Sequence, residues 1–188
     1  VERSAAEIDE QLGLICQIAR RHEPVEIRES RSEEESKKIW LGRKSAFGAM
    51  GQIADYICLD GTIPVSELAF VLRRIGELTA EYGLAVANVF HAGDGNLHPL
   101  ILYDANRPGD LDKAEALGAA ILTLCVQVGG CLTGEHGVGV EKRDLMPVQF
   151  TAADMEAQMR VKDVFDPRWL LNPAKVFPLQ VSEGRRAA

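Results

Sequence analysis

The sequence predicts an α+β fold, a ferredoxin-like split βαβ with an antiparallel sheet, and three observations carry that prediction. From Tyr56 to Thr133 the apolar patterning runs strand, helix, strand, strand, helix, strand. Asp94-Gly95 parts two extended runs, Leu84–His91 and Leu97–Tyr103, as a hairpin turn does. Both helical stretches stop at glycine: Gly83 after Ser66–Tyr82, and Gly129-Gly130 after Asp110–Val128. Glycine enters the left-handed conformation past a helix end without a Cβ penalty.

Ahead of this unit, Ser4–His22 carries Ile8, Leu12, Ile15, Ile18 and Ala19 at helical spacing, and Ser4 with Glu7 forms a capping box. Pro24 ends that helix because it has no N–H to continue the ladder. Val25-Glu26-Ile27-Arg28 alternates as a half-buried strand does. Ser32 then caps a charged helix reaching Gly48, with Ile39, Trp40 and Phe47 on its apolar side and a glycine-bearing loop at 48–51. Residues 1–54 thus read as the remainder of a partial second ferredoxin-like unit, and residues 55–140 as the unit that carries the chemistry. Residues 141–188 read as C-terminal helices, Glu141–Met146 and Ala152–Phe165, with a proline-punctuated tail from Asp166-Pro167 through Leu171-Asn172-Pro173. That tail has no face of its own to bury and is expected to dock on another surface.

Composition narrows the function classes. Hydrophobic residues at 46% and charged residues at 26% are those of an ordinary globular chain, so neither disorder nor a fibrous repeat is indicated. A net charge of -7 repels phosphate backbones and anionic lipid, which argues against nucleic acid as a partner. No apolar run approaches the roughly 20 residues of a membrane span, and Val1-Glu2-Arg3-Ser4 is no signal peptide, so the chain reads as cytosolic. The four cysteines show no C-x-x-C spacing, and Cys16 and Cys125 fall on apolar helix stripes, as buried thiols do. A start on Val1 and a polar end from Ser182 to Ala188 read as those of a piece of something longer.

Three of the four histidines fall in two short clusters, His91-Ala92-Gly93-Asp94-Gly95-Asn96-Leu97-His98 and Gly134-Glu135-His136-Gly137. With Asp94-Gly95 central in a type I′ turn, His91 stands directly opposite His98 on the same face, their Cβ atoms about 5 Å apart. Two imidazoles so placed can share one divalent metal ion. The second helix returns the chain to the sheet end bearing the turn, which brings Glu135 there as a third ligand. Two histidines and one carboxylate leave open positions for a substrate oxygen. A plain hairpin with cross-strand histidines is the bland alternative. Gly134–Gly139 with Lys142 and Arg143 could instead cradle a phosphate, although the usual preceding strand and spacing are missing.

His91-Ala92-Gly93-Asp94-Gly95-Asn96-Leu97-His98-Pro99, Gly134-Glu135-His136-Gly137-Val138-Gly139 and Leu171-Asn172-Pro173-Ala174-Lys175 together resemble the C-terminal domains of FAD-linked oxidases of the vanillyl-alcohol-oxidase superfamily. Within it they are similar to glycolate oxidase FAD-linked subunits and D-lactate dehydrogenases. The similarity extends from Trp40-Leu41-Gly42-Arg43-Lys44 through Asp60-Gly61-Thr62-Ile63-Pro64 to Phe177-Pro178, essentially the whole chain. It implies an FAD-dependent 2-hydroxy-acid oxidoreductase that converts glycolate or D-lactate to the 2-oxo acid. The FAD is then held mainly by an N-terminal domain that this sequence lacks, residues 141–188 dock on that domain, and the chain alone is inactive.

The resemblance also assigns residues. It implies His91, His98 and Glu135 as ligands of a divalent metal, zinc or manganese, and His136 as the catalytic base. Asn96 and Arg43 match substrate-binding positions, and Asn172 and Lys175 belong to a tail motif near the flavin. Cys58 stands where relatives acting on larger dicarboxylates carry a substrate-binding lysine, which favours a small acid. A second flavin-type subunit and an iron-sulfur subunit are the implied partners, which would place the protein in the cytoplasm or at the inner face of the membrane.

The chemistry makes these residue types sensible. Loss of hydride from the carbon requires the hydroxyl proton to leave, and a nearby divalent cation favours the deprotonated form. Imidazole exchanges protons near neutral pH, and a guanidinium fork matches a carboxylate. Two other classes stay open: a free-standing ferredoxin-like module that binds a metal or small acid, and a metal-dependent hydrolase built on His91, His98 and Glu135. No stretch resembles a dinucleotide or flavin cradle, so the chain alone is expected to be colourless.

Overall fold

The computed structural model describes residues 4–186. The chain forms two compact units, Val1–Ala46 and Phe47–Ala188. The first holds helices α1 (Ala5–Arg20) and α2 (Glu33–Lys44). The capping box of α1 forms as its sequence demands: Ser4 Oγ accepts from Glu7 N at 3.3 Å while the Glu7 carboxylate accepts from Ser4 N at 2.8 Å. Ser32 caps α2 by accepting from Glu35 N at 3.2 Å. Residues 25–28, expected as a strand, form none, and Val25 is fully exposed. Alternation promises a strand only where a neighbouring ladder can take its N–H and C=O groups, and no such ladder meets this segment among the described residues.

The second unit opens within α3 (Ala46–Met50), a separate short helix where the sequence predicts one continuous helix to Gly48. It continues through β1 (Asp55–Cys58), β2 (Gly61–Thr62), α4 (Leu68–Tyr82), β3 (Ala85–His91), β4 (Asn96–Tyr103) and α5 (Asp110–Gln127). The four strands form one antiparallel sheet with β4 at its centre, β1 and β2 along one edge of it and β3 along the other. Cys131 then bridges Thr62, so the last extended stretch flanks the first strand pair. This is the α+β, ferredoxin-like order expected from the sequence.

β1 and β2 are one strand interrupted by a proline on the opposite side. Both keep a single register against β4, Asp55 with Tyr103 at one end and Thr62 with Asn96 at the other. The break at Leu59 and Asp60 falls opposite Pro99 and His98. Leu59 N still donates to Pro99 O at 3.0 Å, but Pro99 has no N–H to return, which leaves the Leu59 carbonyl outside the ladder.

Side chains alternate between two faces of this sheet. One face, through Leu59, Leu97 and Ile101, packs on Val71 and Ile75 of α4 and on Ala114, Leu117, Ile121, Leu122 and Cys125 of α5 to make the core. The other parity places Cys58, Asp60, Thr62, His91, Asn96 and His98 together on the side away from the helices.

The hairpin register differs from the expected one. His91 pairs with Asn96, and His98 with Val89, because the turn spans four residues, Ala92–Gly95, rather than two. Gly95 sets this turn: its φ is 69° and a Cβ there would lie 2.1 Å from the Ile63 carbonyl oxygen. The register slips by two residues, an even number, so His91 and His98 remain on one face as diagonal neighbours.

Beyond the sheet, residues 141–146 do not form the expected helix. A 3₁₀ turn at Arg143–Leu145 leads into the short α6 (Met146–Gln149), where Pro147 fits the first helical turn. Helix α7 (Ala152–Phe165) forms as predicted, with Thr151 and Asp154 as its capping box, and α8 (Leu179–Arg186) ends the described chain. The proline-punctuated tail folds back on this same unit: Trp169 and Phe177 close over Met159, and Val176 N donates to Gly139 O at 2.8 Å. Among the described residues, no helix is long and apolar enough to cross a membrane.

Adding a methyl group to the two turn glycines separates strain from space. A Cβ on Gly93 would meet nothing within 4 Å, whereas Gly95 has both the left-handed φ and the Ile63 carbonyl in the way. Gly95→Ala is expected to lower the unfolding free energy by about 2 kcal/mol or more, and Gly93→Ala to change it by less than ~0.5 kcal/mol, in denaturant titrations.

Candidate functional site

The side chain of His98 replaces the hydrogen bond that Pro99 cannot make. Its Nδ1 donates to the stranded Leu59 carbonyl at 3.0 Å, and because a carbonyl only accepts, this partner places the hydrogen on Nδ1 and turns Nε2 outward. His98 is buried, at 4% exposure. Its Nε2 lies 3.0 Å from Glu135 Oε1, and the same oxygen is 3.9 Å from His91 Nε2. The His91 ring stands edge-on to His98 at 5.5 Å, and the His136 ring stacks on His98 at 5.2 Å with planes 18° apart. Phe47 meets His98 edge-on at 6.3 Å. The four residues expected to converge therefore do so, with His98 at their centre.

A buried carboxylate holds the far side of this cluster. Asp60 has no exposed surface, and its oxygens accept from Thr133 Oγ1 at 2.6 Å, Gly134 N at 3.0 Å, Glu135 N at 3.1 Å and His136 N at 2.8 Å. Lys142 Nζ, itself buried, completes the shell at 3.3 Å. Burial alone would push this carboxyl up. The Thr133 hydroxyl, the His136 and Glu135 amides and the Lys142 ammonium outweigh it and hold Asp60 well below the usual carboxylate range. Glu135 and His136 thus reach His98 because their backbone is wrapped around an anion from the sheet.

Asn96 sits on the same face, paired with Thr62 on one side and His91 on the other. It is buried, and its Oδ1 has no hydrogen-bond partner among the described residues. Gly134 packs against it so closely that a Cβ would lie 2.7 Å from that oxygen. Lys175 lines a cleft of about 300 Å³ together with His136, Gly137 and Lys142, and its Nζ donates to Asn172 Oδ1 at 3.3 Å. Arg43 belongs to the first unit, exposed on the last turn of α2.

The donor set suits a cation. One ligand atom from each of Asp60, His98, Glu135 and His136 lies within 4.8 Å of the others, and imidazole with carboxylate is a ligand mixture that first-row divalent metals accept. Two ligands about 2.1 Å from one metal and at right angles to each other are about 3 Å apart, which the His98–Glu135 separation of 3.0 Å matches. His91 stands at the rim, half-exposed, and reaches the group through Glu135.

The sequence pattern gives Asp60 no site role, and it offers Lys142 and Arg143 only as part of an alternative phosphate cradle that lacks the usual strand and spacing. Asp-Gly-Thr is also how a turn is written, and only contacts reveal that the carboxylate is buried. Lys142 is committed to Asp60, and Arg143 Nη1 to the Ala174 carbonyl at 2.7 Å, so the phosphate cradle is not what this loop builds. Of the cysteines, Cys125 is buried and its thiol is pushed up to about 12 by burial, whereas Cys131 is exposed and Cys58 half-buried beside the cluster.

The histidine-rich face of a ferredoxin-like sheet, closed by a glycine-flanked Glu-His loop, lies wholly within a match to one family. Residues 2–176 match the family described as FAD linked oxidases, C-terminal domain, and the chain belongs to it. It is similar to the glycolate oxidase subunit GlcD of Escherichia coli K12, 53% identical over 154 residues, which are 81% of this chain and 31% of that protein. The glycolate oxidase subunit GlcD of Bacillus subtilis is 32% identical over 171 residues, 90% of this chain and 36% of that protein. A mitochondrial D-lactate dehydrogenase [cytochrome] of Arabidopsis thaliana is 29% identical over 175 residues, 92% of this chain and 31% of that protein. The chain spans about a third of the length of these relatives.

Removing the Asp60 charge should be costly. Asp60→Asn leaves Lys142 buried without a counter-charge and is expected to destabilise the chain by about 3 kcal/mol in denaturant titrations. Because the folded carboxyl is depressed, its contribution is complete above about pH 4, where an unfolded aspartate ionises, and is lost as pH falls below that. Stability measured from pH 6 down to pH 2 should therefore decline more steeply in the parent chain than in Asp60→Asn.

Proposed function

We propose that this chain is the substrate-side part of an FAD-dependent 2-hydroxy-acid oxidoreductase that oxidises glycolate or D-lactate to the 2-oxo acid, working with a flavin-binding domain. The observation that carries the reading is the convergence of His91, His98, Glu135 and His136 on the face of the sheet that the helices leave uncovered. Membership of the FAD-linked oxidase family supplies the redox class. FAD, when bound, accepts the hydride from the substrate carbon.

His91, His98 and Glu135 are the proposed ligands of a divalent metal. Such an ion would supply positive charge that favours the deprotonated substrate hydroxyl. The Nδ1 bond to Leu59 fixes the His98 ring and leaves Nε2 as its donor atom. His136, exposed and stacked on His98, is the proposed base, accepting the hydroxyl proton at a ring nitrogen. Asn96 is a proposed contact to the substrate, and Arg43 is proposed as a carboxylate-binding residue on the chemistry of its guanidinium fork alone. Asn172 and Lys175 are proposed to face the flavin. A second flavin-type subunit and an iron-sulfur subunit are the proposed electron-transfer partners, at the cytoplasmic face of the membrane.

Metal content and half-reactions test this in the flavin-loaded protein. His98→Ala should lose the stoichiometric divalent metal found by elemental analysis. His136→Gln should keep metal and flavin yet slow flavin reduction by the hydroxy acid about 10²- to 10⁴-fold in stopped-flow. An active parent protein without metal would remove the ligand assignment, and an unchanged rate in His136→Gln would remove the base.

A further inference from the structure

The half-buried thiol of Cys58 lies on the same sheet face as the histidines, and its Sγ and one ring nitrogen each of His98 and His136 are within 4.8 Å of one another. Its strand partner is Leu100, two residues from His98, so backbone register alone keeps Cys58 beside the imidazoles. Cys58 is not engaged in a disulfide. Its Sγ is 3.5 Å from the Leu59 carbonyl, the oxygen already taken by His98 Nδ1.

We propose that Cys58, His98 and His136 form a second ligand set that captures a thiophilic divalent cation of the cadmium class and withdraws His136 from proton transfer. The inhibitory part of this rests on the functional reading above; the ligand set does not. With Nδ1 of His98 committed to Leu59, Nε2 is the nitrogen left to ligate, so this set and the His91–His98–Glu135 set compete for one atom. Ligand softness decides between them: a carboxylate suits harder ions, while thiolate with imidazole selects softer ones. Donors around a tetrahedral ion lie about 3.3 to 3.8 Å apart, so the three must close by about 1 Å. Half-buried Cys58 and exposed His136 are free to make that movement while His98 stays fixed. Ligation releases the thiol proton to solvent and forms the metal–sulfur bond.

The probe is cadmium alone, added to the flavin-loaded protein and followed by ultraviolet difference spectroscopy for the thiolate-to-cadmium charge-transfer band and by turnover relative to each variant's own starting rate. One equivalent is expected to develop the band and to inhibit. Cys58→Ser should lose the band and need at least tenfold more cadmium for the same inhibition. His136→Gln should weaken the band titration at least tenfold, and Cys131→Ser, which alters the exposed thiol, should keep the parent behaviour. A band that survives Cys58→Ser, or vanishes in Cys131→Ser, overturns the ligand set. A Cys58-dependent band without inhibition upholds the ligand set and instead removes both His136 from the proposed proton transfer and His98 Nε2 from the proposed catalytic metal set.

Discussion

The carboxylate of Asp60 is the interaction on which the candidate site depends. It is a charge taken fully out of water, which is tolerable only because a hydroxyl, three backbone amides and an ammonium surround it. The same contacts convert a loop that has no regular structure of its own into a fixed one. Residues 133–136 cannot relax without stranding a buried anion, so the backbone that carries Glu135 and His136 is held beside His98 while their side chains keep their rotamer freedom.

Around that anchor the sheet divides its labour by parity. Odd-numbered positions of the central strand, Leu97 and Ile101, build the core against the two long helices, while Asn96 and His98 look the other way. A polar cluster can therefore sit one residue away from the centre of the hydrophobic core without interrupting it. The helices stabilise the platform from behind and leave the front to be covered by loops.

Much of this was legible in the residues. Periodicity and glycine stops located α4 and α5, since those helices bury an apolar stripe, and the Asp-Gly turn located β3 and β4 on either side of it. The histidine pairing was wrong by two positions and yet right about the face, because turn length shifts register while alternation preserves parity for an even slip. The strand at 25–28 failed because, among the described residues, no ladder takes its backbone groups, whereas 141–146 is well packed but gives a 3₁₀ turn as Lys142 turns in to Asp60 and Arg143 reaches the Ala174 carbonyl. Asp60 was invisible because burial of a turn-like aspartate is decided by residues more than seventy positions away.

Pro99 plays an unexpected part in this arrangement. A proline in the middle strand of a sheet is ordinarily a defect, since one carbonyl on the neighbour goes unsatisfied. Here that vacancy is filled by the adjacent imidazole, so a fault in the backbone becomes the device that aims a side chain. Any residue with an amide at that position would set ladder and imidazole in rivalry for a single oxygen, and the sheet could become more regular only by letting the ring swing loose.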